Sequence, residues 1–327
     1  MAKSDSIHVG VFGYAGCSAW IAAGMLEFFA IANVAARLER SRMRFDGHAV
    51  SADGRAVRAS QGVRLTTRRA QRRYHALIVP PLWVDSRSEF DARTNELRRH
   101  LPLLQRLATR SGIVASACSG AVLLADAGLL DGHRATTCWW LAEWFGARYP
   151  RVELEASRLV VIDGDRWTAA AGTAYLHLCL DIVKKLAGER VATLAGRLAL
   201  VEPRRGSQSP FLATQPVPEN AERVVQRAAA LVERRIATPL SVADLARELG
   251  TTERTLSRRF RSALGVPPLA YLQSRRIALA KRLLERDRDS LERIVGHCGY
   301  SDLASFRKLF TREVGMSPRE YRSRFAR

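Results

Sequence analysis

The sequence is poor in the features that mark extracytoplasmic or membrane proteins. It has five cysteines in 327 residues, Cys17, Cys118, Cys138, Cys179 and Cys298. They are odd in number, scattered and without a CxxC pair, which excludes a disulfide framework and a zinc site of the usual spacing. No uninterrupted apolar run reaches the ~20 residues of a membrane helix. The opening Met1-Ala2-Lys3-Ser4-Asp5-Ser6 leads straight into a strand-like segment, where a secretory leader would carry a longer apolar stretch. Low-complexity tracts are absent. The expectation is a protein of the reducing cytoplasm with no membrane partner.

Acidic residues are also scarce. The chain has 32 Asp and Glu against 52 Lys and Arg, a formal net charge of +20. Such a balance points to polyanionic partners, nucleic acid first. Arginine far outnumbers lysine, so a compositional bias of the genome is the competing explanation. Half of the excess lies in residues 219–327, one third of the length. Hydrophobic residues at 47% and charged residues at 26% are ordinary globular values. The length suits two domains, each large enough for its own core.

Residues 7–187 alternate short apolar runs with helical patterns. Ile7–Phe12, Phe45–Ser51, Ala76–Val79 and Ile113–Ala117 read as strands, the last two as buried parallel ones. Ile21–Ala36 is a helix with Met25, Phe28, Phe29 and Ala32 on one face. Gly120–Ala127 and Ala174–Leu186 are further helices, and Asp163-Gly164-Asp165 turns a hairpin between Leu159–Ile162 and Trp167–Ala170. The expected fold is a doubly wound, mainly parallel α/β sheet over residues 1–204. Residues 205–220, rich in Pro, Gly and Ser with their neighbours, read as a linker. Residues 221–327 read as an all-α domain.

That helical part contains an internal repeat. Val242–Phe260 and Leu291–Phe310 each hold a short amphipathic helix, a glycine turn at Gly250 or Gly299, a hydroxyl cap and a second helix. Leu256 and Phe260 match Phe306 and Phe310 as an i, i+4 core face. This is a helix-turn-helix pattern, twice over. The second helix of the first copy leaves Arg254, Ser257, Arg258 and Arg261 on another face, behind Thr252 and Thr255; in the second copy Ser305, Arg307, Lys308 and Arg312 remain. Arginine can bond a guanine edge with two hydrogen bonds, while lysine and hydroxyls suit phosphates. The two second helices start fifty residues apart, with a long helix at 268–285 between them carrying Leu269, Leu272, Ile277, Ala280, Leu283 and Leu284 on one face. Such a pair could enter successive major grooves about 34 Å apart. The blander alternative is a helical bundle with a solvated basic face.

Residues 222–325 resemble the AraC/XylS DNA-binding domain. The likeness is carried by Ala243-Asp244-Leu245-Ala246, Arg275–Ala280, Gly299-Tyr300-Ser301-Asp302, Phe306–Phe310 and Gly315-Met316-Ser317-Pro318-Arg319-Glu320-Tyr321. It implies base-reading positions at Arg254, Ser257 and Arg258 in the first unit, and at Leu303, Ala304, Arg307 and Lys308 in the second. Leu303 and Ala304 cannot hydrogen-bond a base edge, so the second unit would read thymine methyls or mainly grip phosphate.

Ile113–Ala121 is strand, small-residue turn and helix, with Cys118 at the elbow. Ser116-Ala117-Cys118-Ser119-Gly120, Leu123–Gly132 and Ala170-Ala171-Gly172-Thr173 resemble the class I glutamine amidotransferase-like fold in its PfpI branch, over about residues 7–190. The two halves together resemble the GlxA-like regulators. That resemblance implies a cytoplasmic, ligand-responsive transcription regulator, expected to be an activator that recruits RNA polymerase, a homodimer, and controlled by a small metabolite such as an amino acid or amine. Candidate effector-pocket residues are Cys118, Ser119, Ile21, Pro81 and Thr173; no cofactor or metal is implied. Three departures argue against catalysis. Ser119 stands where catalytic members carry a histidine, Ile21 where they carry an acid, and Pro80-Pro81 where a Gly-Gly pair donates to an oxyanion, which Pro81 cannot do without an N–H. The alternatives kept open are a thiol hydrolase or amidase tethered by its helical tail, and a non-specific DNA-binding protein. Trp139, Trp140 and Trp144 read as core, or as a cage for an ammonium ligand.

Overall fold

The computed structural model describes residues 5–71, 73–84, 87–202, 207–211, 217, 221–264, 266–286 and 289–326. The chain divides into two compact units, Met1–Gln208 and Ser209–Arg327. Most of the expected linker lies outside the described residues.

The first unit is built from eleven strands: β1 Asp5–Phe12, β2 Met43–Ser51, β3 Val57–Arg58, β4 Arg64–Leu65, β5 Arg68–Arg69, β6 Ala76–Val79, β7 Ile113–Ala117, β8 Arg134–Ala135, β9 Glu153–Leu154, β10 Val160–Asp163 and β11 Arg166–Ala169. Its helices are α1 Ala19–Leu38, α2 Arg87–Leu97, α3 Leu101–Ala108, α4 Gly120–Asp126, α5 Ala142–Arg148, α6 Ala174–Ala187 and α7 Glu189–Leu198. Seven strands form one sheet in the order β10-β11-β7-β6-β1-β2-β5, parallel except for the β10–β11 hairpin. The mainly parallel α/β reading therefore holds.

Period-two alternation sorts one apolar run onto two cores. Ile113, Ala115 and Ala117 of β7 face a layer with α1, α6 and α7, alongside Ile7, Val9 and Val11 of β1. Val114 and Cys118 face the other layer, where α2, α3, α4 and α5 bring Phe90, Leu104, Leu124 and Phe145. β2 reads weakly in sequence because only one of its faces is covered at its start: Phe45 is buried, whereas Asp46 and His48 stay half-exposed. Among the described residues α1 alone is long and apolar enough to cross a membrane. Met25, Phe28, Phe29, Ala32, Ala35 and Ala36 are buried against the sheet and its neighbouring helices, which makes it a core helix.

Four helices escape the sequence reading, each for a physical reason. α2 is mostly polar and, among its described side chains, buries Phe90, Thr94 and Leu97. α3 and α5 each cover only two turns. α7, entered through Gly188 at φ +90°, packs small residues, Val191, Ala192, Ala195 and Gly196, so its apolar stripe is faint.

The second unit holds α8 Arg223–Arg234, α9 Val242–Glu248, α10 Glu253–Leu264, α11 Pro268–Arg286, α12 Leu291–His297, α13 Leu303–Val314 and α14 Pro318–Phe325. Ser241 with Asp244, and Ser317 with Glu320, close capping boxes at α9 and α14. The unit has two cores and α11 belongs to both. Tyr271 and Leu272 join Val225, Leu245, Leu256 and Phe260; Ile277, Ala280 and Leu284 join Ile294, Phe306, Phe310 and Tyr321. The stripe is rotated from the expected one at its start, since Leu269 is 51% exposed and Tyr271 takes the core position.

The repeat glycines are not equivalent. Gly250 and Gly299 have φ of +63° and +75°, the left-handed region that disfavours a side chain. A Cβ at Gly250 would meet nothing within 4 Å, whereas at Gly299 it would lie 2.6 Å from the Ile236 carbonyl and 2.8 Å from Arg276 Nη2. Gly250→Ala should therefore cost only the backbone strain, roughly 1 kcal/mol. Gly299→Ala should cost more than twice as much, because a backbone atom must also move. Urea unfolding of both variants, followed by far-ultraviolet circular dichroism, measures the difference; equal costs would refute the tight packing at Gly299.

Candidate nucleic-acid interface and thiol elbow

The second unit presents two recognition helices, α10 and α13. Each buries one face and exposes another. Leu256 and Phe260 anchor α10; Phe306, Leu309 and Phe310 anchor α13. Thr252 caps α10, its hydroxyl accepting from Thr255 N at 3.2 Å. The matching cap in the second unit is a carboxylate where a hydroxyl was expected: Asp302 accepts from Ala304 N at 3.2 Å and Ser305 N at 2.8 Å. Bonds from Ser305 and Ala304 hold the Asp302 carboxyl below the usual carboxylate range.

On α10, Arg254, Arg258 and Arg261 are exposed, with Thr255 and Ser257 partly so. None of the three guanidiniums is within ion-pair distance of a carboxylate among the described residues, whereas the flanking Arg259 pairs with Glu222 at 3.2 Å. On α13, Ala304, Ser305, Arg307 and Lys308 are exposed. Leu303 is half-buried against the second core, and Arg312 pairs with its neighbour Glu313 at 2.8 Å. The exposed face of α10 is thus the richer in uncompensated positive charge, and that of α13 is smaller and more apolar at its start.

Sequence reasoning missed the residue that joins the two halves. Arg276, in the middle of α11, is only 7% exposed. Its Nε donates to Ile236 O at 3.2 Å and its Nη2 to Thr238 O at 2.7 Å, both between α8 and α9. The same guanidinium lies 5.1 Å from the Tyr300 ring centroid, in the turn of the second repeat. One side chain therefore fastens the first helix-turn-helix to the second. No local pattern distinguishes it from the exposed arginines around it.

In the first unit the elbow is real. Cys118 has φ +54°, between β7 and α4, and its N–H donates to Ala169 O at 2.8 Å. Ser119 is turned to β6's exit: Leu82 N donates to its hydroxyl at 3.0 Å and the hydroxyl donates to Leu82 O at 3.1 Å. The Pro80 and Pro81 carbonyls accept from the Tyr14 hydroxyl at 2.6 Å and from Ser18 N at 2.8 Å. Of the five candidate pocket residues, Cys118, Ser119 and Pro81 gather at the ends of β6 and β7. Ile21, in the first turn of α1, is buried in the opposite core, and Thr173 is exposed at the start of α6. All five lie beyond the carboxyl ends of parallel strands, and β1 and β6 form the point where the strand order reverses, the usual ligand crevice of such sheets.

Trp139 and Trp140 pack edge to face at 5.4 Å, while Trp144 contacts Phe90 and already has the Arg148 guanidinium 5.5 Å from its ring.

An α/β unit with a thiol elbow, followed by a unit with paired recognition helices, defines a helix-turn-helix DNA-binding protein. Residues 245–324 match a helix-turn-helix domain, and residues 25–185 match the DJ-1/PfpI family. The HTH-type transcriptional regulator CdhR of Pseudomonas aeruginosa is 30% identical over 283 residues, 84% of this chain and 81% of that one. The HTH-type transcriptional regulator GlxA of Rhizobium meliloti is 30% identical over 252 residues, covering 75% and 72%. GbdR of Pseudomonas aeruginosa, another such regulator, is 26% identical over 320 residues, covering 91% and 82%. In fold alone, the chain resembles a ThiJ/PfpI family protein from Pseudomonas syringae, at a TM-score of 0.50 and 20% identity over 76% of this chain and 90% of that one. The chain belongs to the AraC-type transcriptional regulators that carry a DJ-1/PfpI-like domain at their N-terminal side.

Proposed function

We propose that this regulator binds a specific operator through both recognition helices and activates transcription when a small metabolite binds the first unit. The observation that carries the reading is the paired exposed faces of α10 and α13, held by one shared strut and one buried arginine. Arg254, Ser257, Arg258 and Arg261, with Thr252 and Thr255 at the helix start, read bases and phosphates in one groove. Leu303, Ala304, Ser305, Arg307, Lys308 and Arg312 serve the next, with phosphate grip outweighing base reading. Residues 205–220 link a sensor domain, 1–204, to the DNA-binding domain, 221–327.

The effector, an amino acid or amine in chemical class, sits by Cys118, Ser119 and Pro81, near Ile21 and Thr173. Its binding shifts the population of two arrangements of a homodimer, and the active one recruits RNA polymerase. A partner that is chromosomal DNA puts the protein in the cytoplasm. No catalytic role is assigned: the Ser119 hydroxyl is spent on Leu82, and no histidine or carboxylate is hydrogen-bonded to Cys118 among the described residues.

Selection of bound fragments from random DNA tests the reading, with a salt titration on the fragments recovered. A regulator should enrich a site spanning about two major-groove turns and prefer it over random DNA by roughly 10³-fold or more. Equal binding to every sequence would leave the helical unit a basic tether and return attention to thiol chemistry at Cys118.

A further inference from the structure

The other half of the positive excess lies ahead of residue 219, and it is concentrated in one place. Residues 54–75 hold seven arginines and no Asp or Glu. Arg72 lies outside the described residues; Arg55, Arg58, Arg64, Arg68, Arg69 and Arg73 are all exposed. The segment forms the β3–β4 hairpin and the edge strand β5. Strand alternation sorts its side chains. Val57 and Leu65 are register partners turned toward Gly13, where a Cβ would lie 3.3 Å from Val57 and 3.6 Å from Leu65. Both pack on the core that holds Val114 and Cys118. Arg58 and Arg64, the next pair in the register, therefore stand directly opposite each other on the outward face. Like charges at such positions repel. Of the six arginines only Arg55 has a carboxylate within ion-pair distance among the described residues, Asp53 at 3.9 Å. Asp46 lines a pocket with Arg68 and Arg69, but its carboxylate is engaged by His8 at 3.2 Å and His48 at 2.6 Å.

We propose that this arginine rim is a second DNA contact, a sequence-independent grip of the first unit on phosphates flanking the operator. It rests on duplex DNA being the partner of this chain and needs neither the metabolite nor activation. An arginine pair facing across two strands without a counter-ion costs stability in the free protein, and an anion held between the two removes that cost. Guanidinium forks meet phosphate oxygens with two parallel hydrogen bonds. Charge repeated along one edge fits a polyanion rather than a single small ion. β3, β4 and β5 are two residues long, too short to track a groove as a β-ribbon does, so the grip falls on the backbone and reads no base. A lipid surface presents phosphates too, but a membrane-binding face sets apolar anchors among its charges. Within residues 54–75, Val63 is the sole exposed large hydrophobic among the described residues. Both DNA contacts lie on one chain, so binding by α10 and α13 raises the local concentration of duplex at the rim.

The test uses the full-length chain with Arg58, Arg64, Arg68 and Arg69 all replaced by Gln, beside a second variant with all four replaced by Lys. Binding is titrated with potassium chloride on three duplexes: a recovered operator in long random flanks, a random duplex of the same length, and the operator trimmed of its flanks. The Gln variant should lose about 10-fold or more in affinity for both long duplexes at low salt, and its slope of log affinity against log salt should fall by about two to four. The preference for operator over random DNA should stay, the trimmed operator should bind wild type and variant alike, and the Lys variant should keep the slope. Equal affinities and slopes for wild type and Gln variant, on DNA that the wild type binds, would overturn the rim and leave the regulator reading standing. A wild type that binds no duplex would sink that reading and the rim with it. The random duplex decides the rim even where selection recovers no operator. Vesicles of phosphatidylserine and phosphatidylcholine offer the other source of phosphate: binding to them that the Gln substitutions abolish, with the DNA slope unchanged, would make the rim a lipid surface and overturn the proposal. Should the tryptophan transition of the fourfold variant shift to lower urea, the two double variants, Arg58→Gln with Arg64→Gln and Arg68→Gln with Arg69→Gln, each carry the test at about half the slope change.

Discussion

Replacing Arg276 by alanine is expected to destabilise the helical unit by roughly 2–4 kcal/mol and to weaken operator binding with it. The side chain makes two charge-assisted bonds to the carbonyls of Ile236 and Thr238 and lies over the Tyr300 ring. Each such bond is worth about 1.5–3 kcal/mol, less where the carbonyl regains water, and truncation also opens a cavity between the two repeats. Arg276→Lys should not rescue it, because a single ammonium cannot span two carbonyls while lying flat on an aromatic ring. All six tryptophans lie in the first unit, so their fluorescence follows that unit alone. Loss of helical circular dichroism at lower urea, with the tryptophan transition unchanged, is the expected signature. An unshifted helical transition would mean that the bolt is dispensable.

Arg258→Ala should weaken the selected operator by about 5- to 150-fold, or 1–3 kcal/mol, and relax base choice at one position. The residue is exposed on α10, one turn after Arg254 and opposite the buried Leu256 and Phe260, with no carboxylate in reach among the described residues. Its charge is therefore available to a partner without first breaking an ion pair. Lys308→Ala on α13 is the contrast: removing a grip on phosphate should lower affinity for all sequences alike and reduce the salt slope by about one. If Arg258→Ala weakens operator and random DNA equally, it grips phosphate and reads no base.

Much of the helical unit is legible in the amino-acid sequence. The glycine turns at 250 and 299 and the i, i+4 pairs appear where expected, and the caps at Ser241 and Ser317 are set by acids only three residues on. The strands β1, β6 and β7 and the β10–β11 hairpin are legible too, because apolar runs bounded by turns leave few alternatives. The candidate site is legible as a set of residues on one face of α10. It is less so on α13, where Leu303 turns partly inward and the cap is Asp302.

What the sequence alone determined is local. Helix periodicity, caps and left-handed glycines depend on neighbours within about four residues, and those neighbours are adjacent in the chain. What only the tertiary structure decided depends on residues far apart. Arg276 meets Ile236 forty positions away, Thr137 meets Cys118 across nineteen, and Gln208 meets Thr137 across seventy-one. An arginine among many becomes a buried bolt only when the helices close around it. The composition supplied the groups; packing chose which of them would be desolvated and paired, since burying a polar group is favourable only where a partner waits.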